Sequence, residues 1–369
     1  MLSSSQTPLS ARVAYVLVSL VVIVYGMSVL QEILVLLAFS FLLAMLLYPL
    51  CHRLERWIPR LAAIFVCLFV LIGVLVLMVY LVSAQLASFS AEFPVFQQKI
   101  EGVVDKIQGM VSQQLHLSRT RQVSELKKMT TDLLKNSGSY ISTAFSTTTN
   151  TLADLSLIPI FVFFILQYRD FFRHFFYRVF GRLRKAKIDD VLRKIYAVVQ
   201  GYLAGLMLVI AIVATLNSVG LLLLGIDYAI FFGTLAAFLL LIPYIGIMIG
   251  SLLPIVYALV TKDSPVYAVG VASVFLSVQF LEGNFITPHI VGSKVSVNPL
   301  AAMVALILGG QLWGIAGLVL ALPLTAILKV VFDNVEPMKP YGYLLGEAEH
   351  TERKKPKRKI SIRLKRKAQ

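Results

Sequence analysis

Apolar residues run along this chain in long blocks parted by short polar interruptions. Val13–Leu30 is followed, after Gln31 and Glu32, by Ile33–Leu50, and Leu61–Leu86 comes after a short loop carrying His52, Arg53, Arg56 and Arg60. Tyr48-Pro49 closes the second block, because proline has no amide proton and restricts the residue before it. Later blocks are Thr151–Tyr168 with Pro159 as a tolerated kink, Ile195–Leu224, Phe231–Val260, Pro265–Leu281 and Leu300–Val331. A run of about 18 apolar residues is enough for a helix to cross a bilayer. The pattern therefore predicts an all-α polytopic membrane protein with about eight transmembrane segments, the first of them uncleaved.

Two blocks are too long for a simple crossing. Phe231–Val260 is interrupted by Pro243-Tyr-Ile-Gly246, and Leu300–Val331 by Gly309-Gly310-Gln311 and Gly314. A straight helix of thirty residues reaches about 45 Å, against a hydrocarbon core of about 30 Å. Each block is either a kinked span or a hairpin that returns to its own side. In the hairpin reading a span followed by a hairpin occurs twice with opposite topology. Many secondary transporters have this plan, with broken helices meeting near the midplane. Pro254 and Pro323 read as kinks, while Gly201/Gly205, Gly246/Gly250 and Gly310/Gly314 are pairs of small residues that let helices approach closely.

Residues 88–150 differ from the rest. They carry seven Lys/Arg and five Asp/Glu, and Phe96, Ile100, Val103, Ile107 and Met110 recur at helical steps. This stretch reads as a water-exposed helical insert. The expected organisation is three N-terminal spans in 1–87, the insert in 88–150, and a fourth span with a basic segment in 151–194. A core with the two broken segments follows in 195–335, and a basic tail in 336–369.

Composition agrees with the bilayer reading: 58% of residues are hydrophobic, only 14% are charged, and the mean hydropathy is +0.82. The net charge of +15 is concentrated in a few places. Arg169–Lys194 holds nine Lys/Arg against three Asp, and Thr351–Gln369 holds ten against one Glu. Basic blocks beside spans mark the cytoplasmic face. They place both termini and the loop at Arg53–Arg60 inside, and Gln31, the insert and Asp227 outside, in a cytoplasmic membrane. The tail reads as a topology signal with an affinity for anionic lipid, not as a nucleic-acid site. Cys51 and Cys67 form no disulfide framework or metal spacing.

Catalytic and nucleotide motifs (HExxH, GxSxG, a P-loop, GxGxxG) are missing, so neither enzyme chemistry nor an internal ATP engine is expected, and no cofactor or metal. Polar groups near the breaks are few, and ionisable groups at membrane depth are usually functional. Glu282 leads as a cation or proton site, with Gln279, Asn284, Gln311 and Asp227 as further substrate or ion contacts. Pro243, Gly246, Gly309 and Gly310 would shape the breaks. His289 and Lys294 read as residues of a polar loop from Glu282 to Pro299.

One ordered set of segments is distinctive: Leu241-Ile-Pro-Tyr-Ile-Gly246 with Gly250 and Pro254; Glu282-Gly-Asn-Phe-Ile-Thr-Pro288; Val291-Gly292; Asn298-Pro299; and Gly309-Gly-Gln-Leu-Trp-Gly314 with Gly317 and Pro323. Across roughly 190–335 it resembles the autoinducer-2 exporter family, also called the AI-2E or PerM family. The resemblance implies an eight-segment helical membrane protein of bacteria. It also implies a homo-oligomer, pentameric by resemblance, with a hairpin-containing or elevator-type transport unit. The activities it implies are export of a small polar signal such as autoinducer-2, or sodium(lithium)/proton antiport. A scaffold recruiting partners through the insert and tail is the rival from another class. The expected partners are the bilayer, a small solute or cation, and further copies of the chain.

Overall fold

The structure is a computed structural model, and it describes residues 9–77, 156–181, 184–242, 245–292 and 296–347, with isolated positions at 80, 99 and 102. The predicted insert, the basic tail after 347, and Pro243, Ser293 and Lys294 lie outside the described residues. What is described is helical throughout. The N-terminal helices are α1 (Leu9–Val29), α2 (Gln31–Leu54) and α3 (Arg60–Leu77). α4 (Leu157–Gln167), α5 (Arg169–Val179) and α6 (Lys185–Leu223) come next. The remainder is α7 (Ala229–Leu239), α8 (Ile245–Thr261), α9 (Val266–Leu281), α10 (Pro299–Asn334) and the short α11 (Lys339–Leu345).

Among the described residues, five helices are long and apolar enough to cross a membrane: α2, α3, α6, α9 with its extension to Gly292, and α10. α1 (apolar over Val13–Val29), α4, α7 and α8 are shorter apolar helices. The surface supports the same reading. Large apolar side chains such as Phe69 and Leu223 are 79% and 84% exposed, because the expected solvent is hydrocarbon. Two sequence boundaries shift. The basic segment does not end before the fifth block, since α6 starts at Lys185 and continues through it for 39 residues. The polar loop expected from Glu282 is helical as far as Gly292.

Packing follows the small residues and the apolar faces. Cys51, Ala63, Ile64, Cys67, Ile158 and Val162 form a core between α2, α3 and α4, with both thiols free and buried. Leu42 of α2, Ile195 and Val199 of α6, and Leu320 of α10 form a second core. α6 is the common element, because its later turns also pack on α7 and α9 through Val209, Val213, Ala237 and Val278.

Both long blocks fold back on themselves. In the first, α7 and α8 run antiparallel, and the chain turns from Leu240 to Ile242 after α7. A Cβ on Gly246 would lie 1.7 Å from the Leu239 carbonyl oxygen, and one on Gly250 would lie 2.9 Å from Ala236 Cα. Rings of Phe232 and Tyr257 meet at 5.2 Å further down the pair. Asp227 and Lys262 close its open end with an ion pair of 3.4 Å. Pro254 lies buried within α8, whose helix runs through it.

The second block, α10, reverses at Trp313 (φ −132°, ψ 17°) and Gly314 (φ 59°, ψ −137°). Positive φ with that ψ is accessible only to glycine. The break therefore falls a few residues after Gly309-Gly310. Those two sit in the first arm, and Gly309 is small for another reason: its Cβ would lie 2.6 Å from Gly317 O across the hairpin. Pro323 is buried in the second arm.

The hairpins open at opposite ends of α6. The open end of the first lies beside Leu221, Leu224 and Ile226, after the last turns of α6. The base of the second is tied to the first turns of α6, where Lys187 and Lys194 both donate to Asn334 Oδ1 at 3.1 and 3.3 Å. Asn298 fastens that end. Its Oδ1 caps α10 by accepting from Ala301 N, and its amide donates to Leu344 O and Gly346 O at 2.7 and 2.9 Å. The Asn298-Pro299 pair thus starts the helix and holds α11 against it.

Candidate functional site: a polar cluster on a widened helix

α9 does not stop at Leu281. It widens into two π-turns, Glu282–Ile286 and Pro288–Gly292, in which Thr287 N donates to the carbonyl of Glu282, five residues back. Pro288 supplies the local cause. It has no N–H for an ordinary helical bond, and its ring presses on the carbonyl four residues earlier. Bonding from i to i+5 brings residue i+5 over residue i, so Thr287 stands above Glu282. Single π-turns inside α-helices are often found at functional sites.

The Glu282 side chain is 9% exposed and accepts two hydrogen bonds. Thr287 Oγ1 donates to its Oε1 at 2.5 Å, and Gln279 Nε2 donates to its Oε2 at 2.8 Å. Neither donor carries charge. The carboxyl group is thus held by neutral partners on a helix otherwise rich in apolar residues. Such a group can bind a cation, exchange a proton, or accept a hydroxyl of a polar solute. The π-turns also reach α6: a Cβ on Gly205 would lie 3.2 Å from Ile290 O, so glycine there lets α6 approach this backbone.

Of the residues singled out by sequence, Glu282 and Gln279 come together. Thr287, a polar group of the same segment, joins them. Asn284 is exposed and donates to Phe280 O of its own helix at 2.9 Å. Gln311 is exposed at the tip of the second hairpin. Asp227 pairs with Lys262 at the open end of the first. No hydrogen bond or ion pair among the described residues joins Asn284, Gln311 or Asp227 to Glu282. Pro288 and Gly292 bound the second π-turn. His289 is exposed, with Nδ1 at 2.7 Å from Phe285 O.

Two residues were missed by sequence reasoning. Asn217 sits in α6 at 3% exposure, and its Oδ1 has no hydrogen-bond partner. A lone asparagine in an apolar block disturbs no periodicity, so the only available signal was its residue type. A buried, unpartnered amide oxygen in a membrane helix is costly. The second is Trp313, whose indole N–H donates to Met27 O at 3.0 Å and attaches the tip of the second hairpin to α1. Among the described residues no cluster of three or more His, Cys, Asp or Glu is placed to hold a metal ion.

A multipass helical bundle with folded-back apolar segments is a plan shared by many membrane transporters. Comparison with known proteins makes this specific: the chain belongs to the AI-2E family of transporters, whose profile matches residues 17–336. It is 25% identical over 310 residues to YueF of Bacillus subtilis (strain 168), covering 80% of this chain and 84% of the relative. It is 26% identical over 334 residues to YhhT of Escherichia coli (strain K12), covering 89% and 93%. Their names assign transport provisionally and give no cargo. The AI-2 transport protein TqsA of Escherichia coli (strain K12) is 23% identical over 349 residues, covering 91% and 96%.

Proposed function

We propose that this protein is a secondary transporter that moves a small polar solute out across a bacterial cytoplasmic membrane. The observation that carries the reading is the pair of helix hairpins opening at opposite ends of α6. Short antiparallel helices that do not cross the bilayer leave backbone ends at depth. Such ends are tolerated only where they are covered by protein or line a wet path. A span and hairpin used twice in inverted sense is a plan that lets one site face either side in turn. Glu282, with Gln279 and Thr287, supplies a polar contact for the cargo or a coupling ion. Asn217 supplies a second acceptor, and Gln311 near the tip of the second hairpin, with Gly310 in its first arm, flanks the path. The basic ends at Arg53–Arg60 and Lys185–Lys194 set the cytoplasmic face. Further copies complete the assembly, as the resemblance implies.

The name of TqsA supports an autoinducer-2-like cargo. The buried carboxyl of Glu282 favours a second reading, exchange of a monovalent cation for protons. Purified protein in liposomes loaded with a pH dye separates them. Saturable internal alkalinisation after an inward pulse of sodium assigns cation/proton exchange. No response to sodium, together with efflux of autoinducer-2 from preloaded vesicles, assigns solute export. Silence in both assays, with folded protein in the vesicles, rejects the transport reading for these cargoes.

The hairpin architecture has its own check. The ion pair Asp227–Lys262 keeps both ends of the first hairpin together. Single cysteines at Asp227→Cys and Asp263→Cys are therefore expected to react with an impermeant thiol reagent from the same side of the membrane. Labelling from opposite sides would show a kinked span instead.

A further inference from the structure

Helix α5, Arg169–Val179, reverses the usual arrangement of an amphipathic helix. None of its residues is buried. Its charged side nevertheless faces the protein. Arg169 Nη2 bonds Glu55 Oε2 at 2.5 Å, and its guanidinium lies 5.2 Å from the Tyr48 ring centre. Asp170 Oδ2 accepts from Arg60 Nη1 at 2.6 Å. Arg173 holds both oxygens of Asp189 at 2.8 Å, while Tyr177 donates to Asp189 Oδ1 at 2.5 Å. Arg173 first, and then Tyr177, hold the Asp189 carboxyl down at about 2, so this fork stays charged at any pH a cell presents. Asp189 lies before the apolar stretch of α6 that begins at Ile195.

The opposite side of α5 is apolar and open. Phe171, Phe172, Phe175 and Val179 are 66%, 43%, 50% and 55% exposed. At 100° per residue Phe171, Phe175 and Val179 share one stripe with Phe172 beside them, and Arg173 and Tyr177 lie across the helix. This stripe continues the open apolar side of α4, which carries Leu157, Ile160 and Phe164. On α4 the exposed Phe164 leads to Tyr168 at 6.1 Å between ring centres, Tyr168 leads to Phe171 at 6.4 Å, and Phe171 leads to Phe172 at 6.0 Å. The row of rings leaves the flank of a membrane helix and passes onto α5 without a gap. At its edge on α5 stands Arg178, which makes no ion pair among the described residues.

We infer that α5 is an interfacial helix seated in the boundary between phospholipid head groups and acyl chains. Phe171, Phe172, Phe175 and Val179 lie in the acyl region, and Arg178 reaches to phosphate level. Aromatic rings favour that depth because one part of their surroundings is apolar and the other wet. A basic residue beside the stripe complements an anionic leaflet. The occupant is lipid rather than a second copy of the chain, because the stripe is continuous with the lipid-facing side of α4. The consequence is mechanical: the Arg173–Asp189 fork passes the position of the membrane surface to the first turns of α6. This inference is independent of the cargo and of the role of Glu282.

Spin labelling tests it on the full-length protein. In a Cys51→Ala, Cys67→Ala background, a nitroxide is attached at Phe175→Cys, at Phe171→Cys and, for comparison, at Arg178→Cys. The protein is reconstituted in vesicles of phosphatidylethanolamine and phosphatidylglycerol. The expected result at 171 and 175 is collision with oxygen several-fold more frequent than with a water-soluble nickel chelate, with the chelate gaining at 178. Collision dominated by the chelate at 171 and 175 would place the stripe in water. Protection from both reagents would place protein over it. Either result overturns the inference, and monodisperse elution of each labelled protein, with two independent positions on the stripe, guards against reading a misfolded variant.

Discussion

Gly317→Val destroys the second hairpin. A Cβ at 317 would lie 1.8 Å from Gly309 O, 2.5 Å from Gly309 C and 3.0 Å from Trp313 Cβ. The first two are backbone atoms of the opposite arm, which no rotamer change can move aside. Overpacking a well-packed interior typically costs about 1–3 kcal/mol, and a clash with the backbone of the opposite arm belongs at or beyond the top of that range. The arms would separate, Trp313 would leave Met27, and transport would stop. The same reasoning ranks the neighbours. Gly309→Ala is severe, at 2.6 Å from Gly317 O, whereas Gly310→Ala meets only the end of the Leu318 side chain at 3.1 Å. Gly310→Leu, which fills the space beside Leu318, is expected to lose flux with the protein still assembled. Thermal unfolding followed by size-exclusion chromatography reads the series. Alanine at 317 that melts like the parent would disprove the close approach of the arms, and a severe loss at 310 with mild effects at 309 would invert the ranking.

Glu282→Gln and Glu282→Ala separate charge from packing at the candidate site. Glutamine keeps the shape and an oxygen that can accept from Thr287 or Gln279, so the fold survives. It removes the ionisable group, and flux is expected to fall by at least about tenfold, a barrier change of about 1.4 kcal/mol. Alanine leaves two donors without an acceptor on a membrane helix. It should lower stability by about 1–3 kcal/mol in addition to losing flux. The vesicle assays together with melting temperatures tell the two apart. Parent-level flux in Glu282→Gln would reduce Glu282 to a structural role and direct attention to Asn217.

Much of the fold was legible because the signal was coarse. Blocks of apolar residues need no fine geometry to be read, and the two overlong blocks carried their own contradiction with bilayer thickness. What failed was the meaning of individual breakers. Gly309, Gly310 and Gly314 look alike in sequence, yet only Gly314 turns the chain, while Gly309 is small because another backbone passes beside it. Gly283, Pro288 and Gly292 looked like a loop. They instead widen a helix, whose approach to Gly205 on α6 no local pattern records. At the site the glutamate was legible, as a rare acid among apolar blocks. Its partner Thr287 became visible only through the π-turn, which reverses the facing that ordinary helical spacing assigns. Asn217 left no pattern at all.

The length of α6 has a further consequence. Its 39 residues extend about 58 Å at 1.5 Å each, nearly twice a hydrocarbon core of about 30 Å. The excess carries Asp189, gripped by Arg173 and Tyr177, and Lys187 and Lys194, which hold Asn334. α6 is therefore a rod with one end outside the oil. A tilt where it meets the first hairpin is carried to that end, where it acts on the foot of the second. Two hairpins that both pack on α6 can in this way be geared to one another by a single rod.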